Sequence, residues 1–323
     1  MLLEVSLTPA LYPFRTIKKN HVTVAIDVLR ATTAVCAAFQ AGCSEVVPLD
    51  SLDDLVDYHH RGYSLAAERG GSKVDIALPD GGTVVAEYGN SPTEYLRHDL
   101  SGVRLAYSTT NGTRTILRAA DADSTLVGAF ANLDALCDHL QAFTVPSLRE
   151  DHLQALTVPS LREDHLQALT VPSLREDHLQ AFTVPSLRED HLQALTVPSL
   201  REDHLQALTV PSLREGCRGG GLDIVILCSG WQNDFCLEDT LVAGAIIEKL
   251  SIFNSQFSIF GDAAHMALTL WQLAKDDPRA YCEQASHVHR LRRLGAQADI
   301  DFAFQLNTCP VVPTLKQGIL VKK

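Results

Sequence analysis

Short apolar runs of strand length recur along the chain, separated by stretches with helical spacing. Residues 22–26 read as a buried strand and 31–41 as a helix ending at Gly42. Residues 45–48 read as a strand and 51–60 as a helix opened by Ser51 and Asp53. Further strands are expected at 103–107, 126–129 and 223–228, with helices at 113–120, 133–140 and 237–249. Apolar strands alternating with helices predict an α/β fold whose mainly parallel sheet is covered on both faces. In such sheets ligands collect at the carboxyl ends of the strands.

One region breaks this pattern. From Asp138 to Glu215 the thirteen-residue unit D-H-L-Q-A-[L/F]-T-V-P-S-L-R-E runs six times without a gap, varying only at its sixth position. Near identity marks a recent expansion, and thirteen residues is shorter than the units of stacked solenoids. Within each unit Ser147 and Glu150, or their equivalents, fit a capping box, and the next Thr-Val-Pro ends the helix. The expectation is a string of short helices or a flexible acidic insertion, dividing the chain into 1–137, 138–215 and 216–323. The six histidines from His139 to His204 read as copies of a surface loop rather than as a metal array.

Composition narrows the class. Mean hydropathy is +0.03 and the formal net charge is −12, which argues against nucleic-acid backbone binding. No apolar run reaches membrane-spanning length, and Met1-Leu2-Leu3-Glu4 lacks the flank of a signal peptide. Eight cysteines with no C-x-x-C pair read as buried thiols of a cytoplasmic protein.

The polar groups that remain cluster at strand exits. Asp27, Arg30, Thr32 and Thr33 follow the strand at 22–26, and Glu68-Arg69-Gly70-Gly71 follows Ala66. Asn90-Ser91-Pro92 opens a helix with Ser91 as its cap. Ser108-Thr109-Thr110-Asn111-Gly112-Thr113-Arg114 joins a strand to a helix start, where free N–H groups favour negative charge. Asn132, Ser229-Gly230, Glu238-Asp239 and Gly261-Asp262 complete the set. Arg30, Arg69 and Arg114 with several acids suit a small polyanionic substrate held with Mg²⁺.

Named phosphate motifs are missing. There is no G-x-x-x-x-G-K-[ST], no G-x-G-x-x-G, no cysteine with an arginine six positions on, and no G-x-S-x-G. Leu29 stands where a haloacid-dehalogenase-type start requires a second aspartate.

Taken in order, these segments resemble the 2-phosphosulfolactate phosphatase family. The resemblance rests on Ile26-Asp27-Val28-Leu29-Arg30-Ala31-Thr32-Thr33, Glu68-Arg69-Gly70-Gly71, Gly89-Asn90-Ser91-Pro92 and Thr109-Thr110-Asn111-Gly112-Thr113-Arg114. It continues through Gly128 with Asn132, Glu238-Asp239 with Gly244-Ala245, Asp262-Ala263-Ala264 and Asp299-Ile300-x-Phe302. Ala67 stands where glycine is usual, and Glu87-Tyr88 replaces a Phe-Asp-like pair. The resemblance implies a three-layer α/β/α fold in two related lobes with the site between them. It implies Mg²⁺-dependent hydrolysis of 2-phospho-3-sulfolactate to 3-sulfolactate and phosphate, a step of coenzyme M synthesis. On that footing Asp27, Glu238 and Asp262 are expected to bind the metal. Asp27, Arg30, Arg69, Arg114 and Asp239 are expected to be catalytic, and Thr32, Asn90, Ser91, Thr110, Asn111, Gly112 and Asn132 to bind substrate. No membrane or nucleic-acid partner is expected, and a homodimer is left open. Two alternatives stand beside this reading: a phosphatase for another small phosphorylated acid, and an inactive interaction protein built around the repeats.

Overall fold

The computed structural model describes residues 1–78, 81–143, 222–232, 234–253 and 257–323. The helical expectation for the repeats falls outside these residues, apart from the opening of the first unit. Among the described residues the strands are β1 Leu2–Ser6, β2 His21–Ile26, β3 Glu45–Pro48, β4 Ser64–Arg69, β5 Ser72–Lys73, β6 Ile76–Ala77 and β7 Thr83–Val84. They continue with β8 Arg104–Ser108, β9 Ser124–Gly128, β10 Asp223–Cys228, β11 Ser258–Phe260, β12 Pro313–Lys316 and β13 Ile319–Lys322. The helices are α1 Ala31–Gln40, α2 Asp53–His60, α3 Pro92–Tyr95, α4 Gly112–Arg118 and α5 Leu133–Ala142. After the repeats come α6 Leu237–Phe253, α7 Asp262–Ala274, α8 Pro278–Tyr281, α9 Ser286–Arg293 and α10 Gln297–Ala303.

Eleven strands form one sheet in the order β11-β1-β10-β2-β9-β12-β13-β3-β8-β4-β5. The pairings from β11 to β9 are parallel, as are those joining β3, β8 and β4. The β12–β13 hairpin stands between these two halves and pairs antiparallel on both sides. The expected α/β fold with a mainly parallel sheet is therefore present. Its halves divide the sheet rather than the chain, because β1, β2 and β9 share a half with β10 and β11. Met1–Val145 and Gly221–Lys323 make one compact unit.

Alternation along the strands explains the layers. Every residue of β2 is buried, as a central strand covered on both faces requires. Val22, Val24 and Ile26 face one way with Ile224 and Ile226, into a core filled by Leu136 and Leu140 of α5, α6, and Trp271 of α7. Ala25 faces the other way and packs with Ala31 and Val35 of α1. In the second half Val46, Ala66 and Leu105 pack with α1, while Val47, Leu65 and Ala106 pack with Leu55 of α2. Helix α6 carries Gly244 because α7 crosses there: a Cβ would lie 2.1 Å from the Ala267 carbonyl oxygen. The first repeat unit enters this core, since residues 138–142 complete α5 and Leu140 is fully buried.

Three successive antiparallel pairings reverse the direction of the second half, so β3, β8 and β4 run opposite to β2. The residues after β2, β8 and β10 nonetheless meet with the end of β4 in one cleft, which requires the sheet to coil about its hairpin.

Candidate active site

The cleft offers about 330 Å³ of space, part of it open to solvent, and is lined by residues from both halves. From the first come Asp27, Leu29 and Arg30 after β2, and Trp231 after β10. From the second come Glu68 and Gly71 at the end of β4, Asn90, and Thr109, Thr110 and Asn111 after β8. Helix α9 closes it with His287, Arg290 and Leu291.

Asp27 sits where β2, the middle strand of its half, runs out. Its backbone N–H donates to Thr32 Oγ1 at 3.0 Å, and Thr32 Oγ1 donates back to its carbonyl at 2.8 Å. That tight exit aims the carboxylate into the cleft, where Oδ1 accepts the Ala31 N–H at 3.3 Å. Thr32 is thus occupied in shaping the turn. Helix α4 begins against this carboxylate. A Cβ on Gly112 would stand 2.2 Å from Ala31 Cβ and 2.8 Å from Asp27 Oδ2, so only glycine allows the approach.

Three more buried carboxylates accompany Asp27. Glu68 accepts the Gly71 N–H and the Thr110 hydroxyl, the latter at 3.2 Å. Asp239 accepts N–H bonds from Val28 at 2.8 Å and Gly230 at 3.1 Å, tying the exits of β2 and β10 together. Glu238 pairs through Oε1 with His287 Nδ1 at 3.1 Å, while its buried Oε2 has no hydrogen-bond partner among the described residues. Such crowding raises the cost of ionisation. Burial pushes Asp27 up to about 6 against the pull of His287, with Glu68 and Glu238 adding to the rise. Burial, then Glu238 and Asp27, hold Asp239 well above the carboxylate range despite its two N–H donors.

This cluster is short of positive charge, and its donors fit a hard cation. Asp27 and Glu238, with its orphaned Oε2, offer oxygen atoms of the kind Mg²⁺ takes. Donor atoms of Cys236, Glu238 and His287 also lie within 4.8 Å of one another. Burial pushes the Cys236 thiol far up, reinforced by Glu238 and Asp239, so the sulfur is a poor first choice beside carboxylate oxygens.

The other expected residues divide. Arg30, Asn90, Thr110 and Asn111 line the cleft with Asp27. Arg30 is already engaged: Nη1 donates to Asp299 Oδ2 at 2.8 Å and Nη2 to the Gly71 carbonyl at 2.6 Å. Ser91 caps α3 and donates to Asp299 Oδ1 at 2.6 Å. Arg69 donates to Ser108 at 2.9 Å and to the Glu68 carbonyl at 2.7 Å, outside the cleft lining.

Arg114 is 64% exposed and pairs with Asp50, because two residues along α4 from Gly112 is the far side of the helix. Asn132 is fully buried and structural, accepting the Ala129 N–H at 2.9 Å and donating to the Val127 and Val311 carbonyls. Asp262 is exposed at the start of α7, which follows the edge strand β11, three strands from β2. These three stand apart from the cleft.

Trp231, His287 and Arg290 were not anticipated. The His287 ring stacks on Trp231 at 6.0 Å and 15°, and Arg290 Cζ lies 5.4 Å from the centre of the indole. The i, i+3 spacing of His287 and Arg290 on a basic helix was the available sign.

The profile of the 2-phosphosulpholactate phosphatase family matches residues 6–146 and 212–318. The chain belongs to this family. The gap in the match spans 65 residues, five repeat units, so the family pattern closes on itself once they are left out. A probable 2-phosphosulfolactate phosphatase of Thermotoga maritima is 24% identical over 300 residues, covering 93% of this chain and 91% of the relative. One from Synechococcus sp. (strain JA-2-3B'a(2-13)) is 27% identical over 304 residues, covering 92% and 90%. One from Microcystis aeruginosa is 26% identical over 323 residues, covering 98% and 97%. For this 2-phosphosulpholactate phosphatase family member, the cleft holds Asp27, Arg30, Glu68 and Asn90 from the segments that carried the resemblance.

Proposed function

We propose that the protein is a Mg²⁺-dependent phosphatase that hydrolyses (2R)-2-phospho-3-sulfolactate to 3-sulfolactate and phosphate, a step of the coenzyme M-forming type. The observation that carries this reading is the buried carboxylate pair Asp27 and Glu68 lining a cleft that also presents arginine and amide donors, with buried Glu238 and Asp239 as their charged neighbours. Asp27 and Glu238 would hold Mg²⁺, which when bound supplies positive charge against the phosphoryl oxygens.

The chain's own groups do the rest. Tyr107 donates its hydroxyl hydrogen to Asn90 Oδ1, which leaves the Asn90 amide nitrogen as the donor toward substrate oxygen. Asn111 adds a second amide at the rim. Glu68 fixes Thr110 and Gly71, holding the walls from the second half in place. Asp239 is a positioning residue, because both its oxygens bind backbone N–H groups that set the β2 and β10 exits. Arg30 is likewise a positioning residue, locked to Asp299 with both partners buried.

Phosphate release from 2-phosphosulfolactate, measured with Mg²⁺ and again after chelation, tests the reading. Turnover that disappears with the chelator and returns with Mg²⁺ is expected. Absence of phosphate release with Mg²⁺ from this ester, and from phospholactate and phosphoglycolate beside it, would overturn it.

A further inference from the structure

Arg30 and Arg290 both line the cleft and both approach Gly71, but among the described residues only Arg30 has a carboxylate partner. Arg30 is neutralised by Asp299 at 2.8 Å, and its other terminal nitrogen donates to the Gly71 carbonyl. Arg290 has no carboxylate within ion-pair distance among the described residues. Its recorded polar contact is Nη1 to His287 Nε2 at 3.3 Å, a long bond to a ring nitrogen. The Gly71 loop comes close enough that a Cβ there would lie 3.2 Å from Arg290 Nη2.

The surroundings of Arg290 suit an organic acid. Its guanidinium faces the Trp231 indole, whose other ring neighbour is His287. A guanidinium against an indole is weakly hydrated, keeps its planar fork of donors, and is held by the ring face without losing its charge. His287 is in turn fixed by Glu238, so the wall is rigid from carboxylate to indole to arginine. An uncompensated cation in a half-buried wall of a protein with net charge −12 calls for an anion from outside.

We propose that Arg290, backed by Trp231, binds the second acidic group of the substrate, a sulfonate or carboxylate, and so restricts the enzyme to phosphate esters of hydroxy acids. The inference rests on the phosphatase reading above and deepens it by assigning a specificity-determining residue. Arg290 holds the acid end, while the carboxylate cluster around Asp27 faces the phosphate ester. The one-ended esters lose this hold.

The test compares kcat/KM for 2-phosphosulfolactate, 2-phospholactate and ethyl phosphate in the wild-type protein, Arg290→Gln, Arg290→Lys and Arg293→Gln. Arg293 is exposed on the same helix and serves as the control, with rates at the wild-type level. Arg290→Gln should lower kcat/KM for the two-ended esters about 10- to 100-fold, mainly through KM, the effect of losing one charged hydrogen-bonding partner. Ethyl phosphate should change by less than about threefold on the same scale. Arg290→Lys should recover part of the loss. A loss on phosphosulfolactate alone assigns the sulfonate to Arg290, and a loss on both acids assigns the carboxylate. Equal losses on all three esters, or none, would overturn the proposal.

Should the wild-type protein turn over none of them, the phosphatase reading fails separately. The subsite is then read from quenching of tryptophan fluorescence by 3-sulfolactate. Saturable quenching that Arg290→Gln abolishes supports the subsite, and quenching that is absent or unchanged in Arg290→Gln rejects it.

Discussion

At the scale of single residues, Asp27 is held in a setting that opposes its charge. Its carboxyl titrates near 6 in the fold against an ordinary 3.8, so the folded chain binds that proton more tightly than the unfolded chain. The contribution favours folding below about pH 4 and is lost as pH rises through about 6. Asp27→Asn removes the charge and keeps an oxygen for the Ala31 N–H. In chelating buffer at pH 8 it should be more stable than the wild-type protein by on the order of 2 kcal/mol, a difference that closes toward pH 4. Its phosphate release should fall by about a thousandfold or more, as expected when a group acting on the transferring phosphoryl is removed. Thermal melts at pH 4, 6 and 8 beside turnover check both halves. A variant equally stable at every pH would remove the electrostatic account of Asp27. Asp27, Arg30 and Asn90 could be picked out beforehand because strand exits concentrate ligand groups. The placement of Arg114 was not legible for a rotational reason: the string Thr-Asn-Gly-Thr-Arg names the turn but not which side of the helix meets the cleft.

At the scale of elements, long apolar runs announced themselves. The strand expected at 45–48 coincides with β3, and the one at 223–228 with β10. Both lie inside the sheet, where burial on two faces makes every position after the opening Glu45 and Asp223 apolar. Helix α9 was silent because only His287, Val288 and Leu291 of its residues are buried, and the remainder reads as basic surface. The β12–β13 hairpin was silent too, since each strand is four residues long and half exposed. Helix α4 supplies the sharpest test of how elements meet at the cleft. Gly112→Ala places a methyl 2.2 Å from Ala31 Cβ, so α4 must retreat from α1. The cost should be about 1–3 kcal/mol, as for other overpacked contacts. Turnover should fall with it, because Thr110 and Asn111 move with the helix start. Unchanged melting and unchanged rates would mean that the two helices slide apart freely.

At the scale of the whole molecule, the family pattern and the thirteen-residue array part at a definable point in the sequence. Residues 138–142 of the first unit belong to α5, and the family match stops at 146 and resumes at 212. Removing residues 147–211 should leave the melting temperature within a few degrees and turnover within about twofold, as loop length enters stability only logarithmically. Loss of both on deletion would make the array part of the working fold. The sheet itself has a consequence for how the protein is made. Its two parallel halves are joined by the hairpin at residues 313–322, so β9 and β3 have no bridge until those residues are synthesised. Without the hairpin, β9 and β3 would each present an unpaired edge of the kind that pairs with other chains. The strand order of this sheet is thus closed by a hairpin far along the chain from the strands it joins, while α1 already packs on strands of both halves.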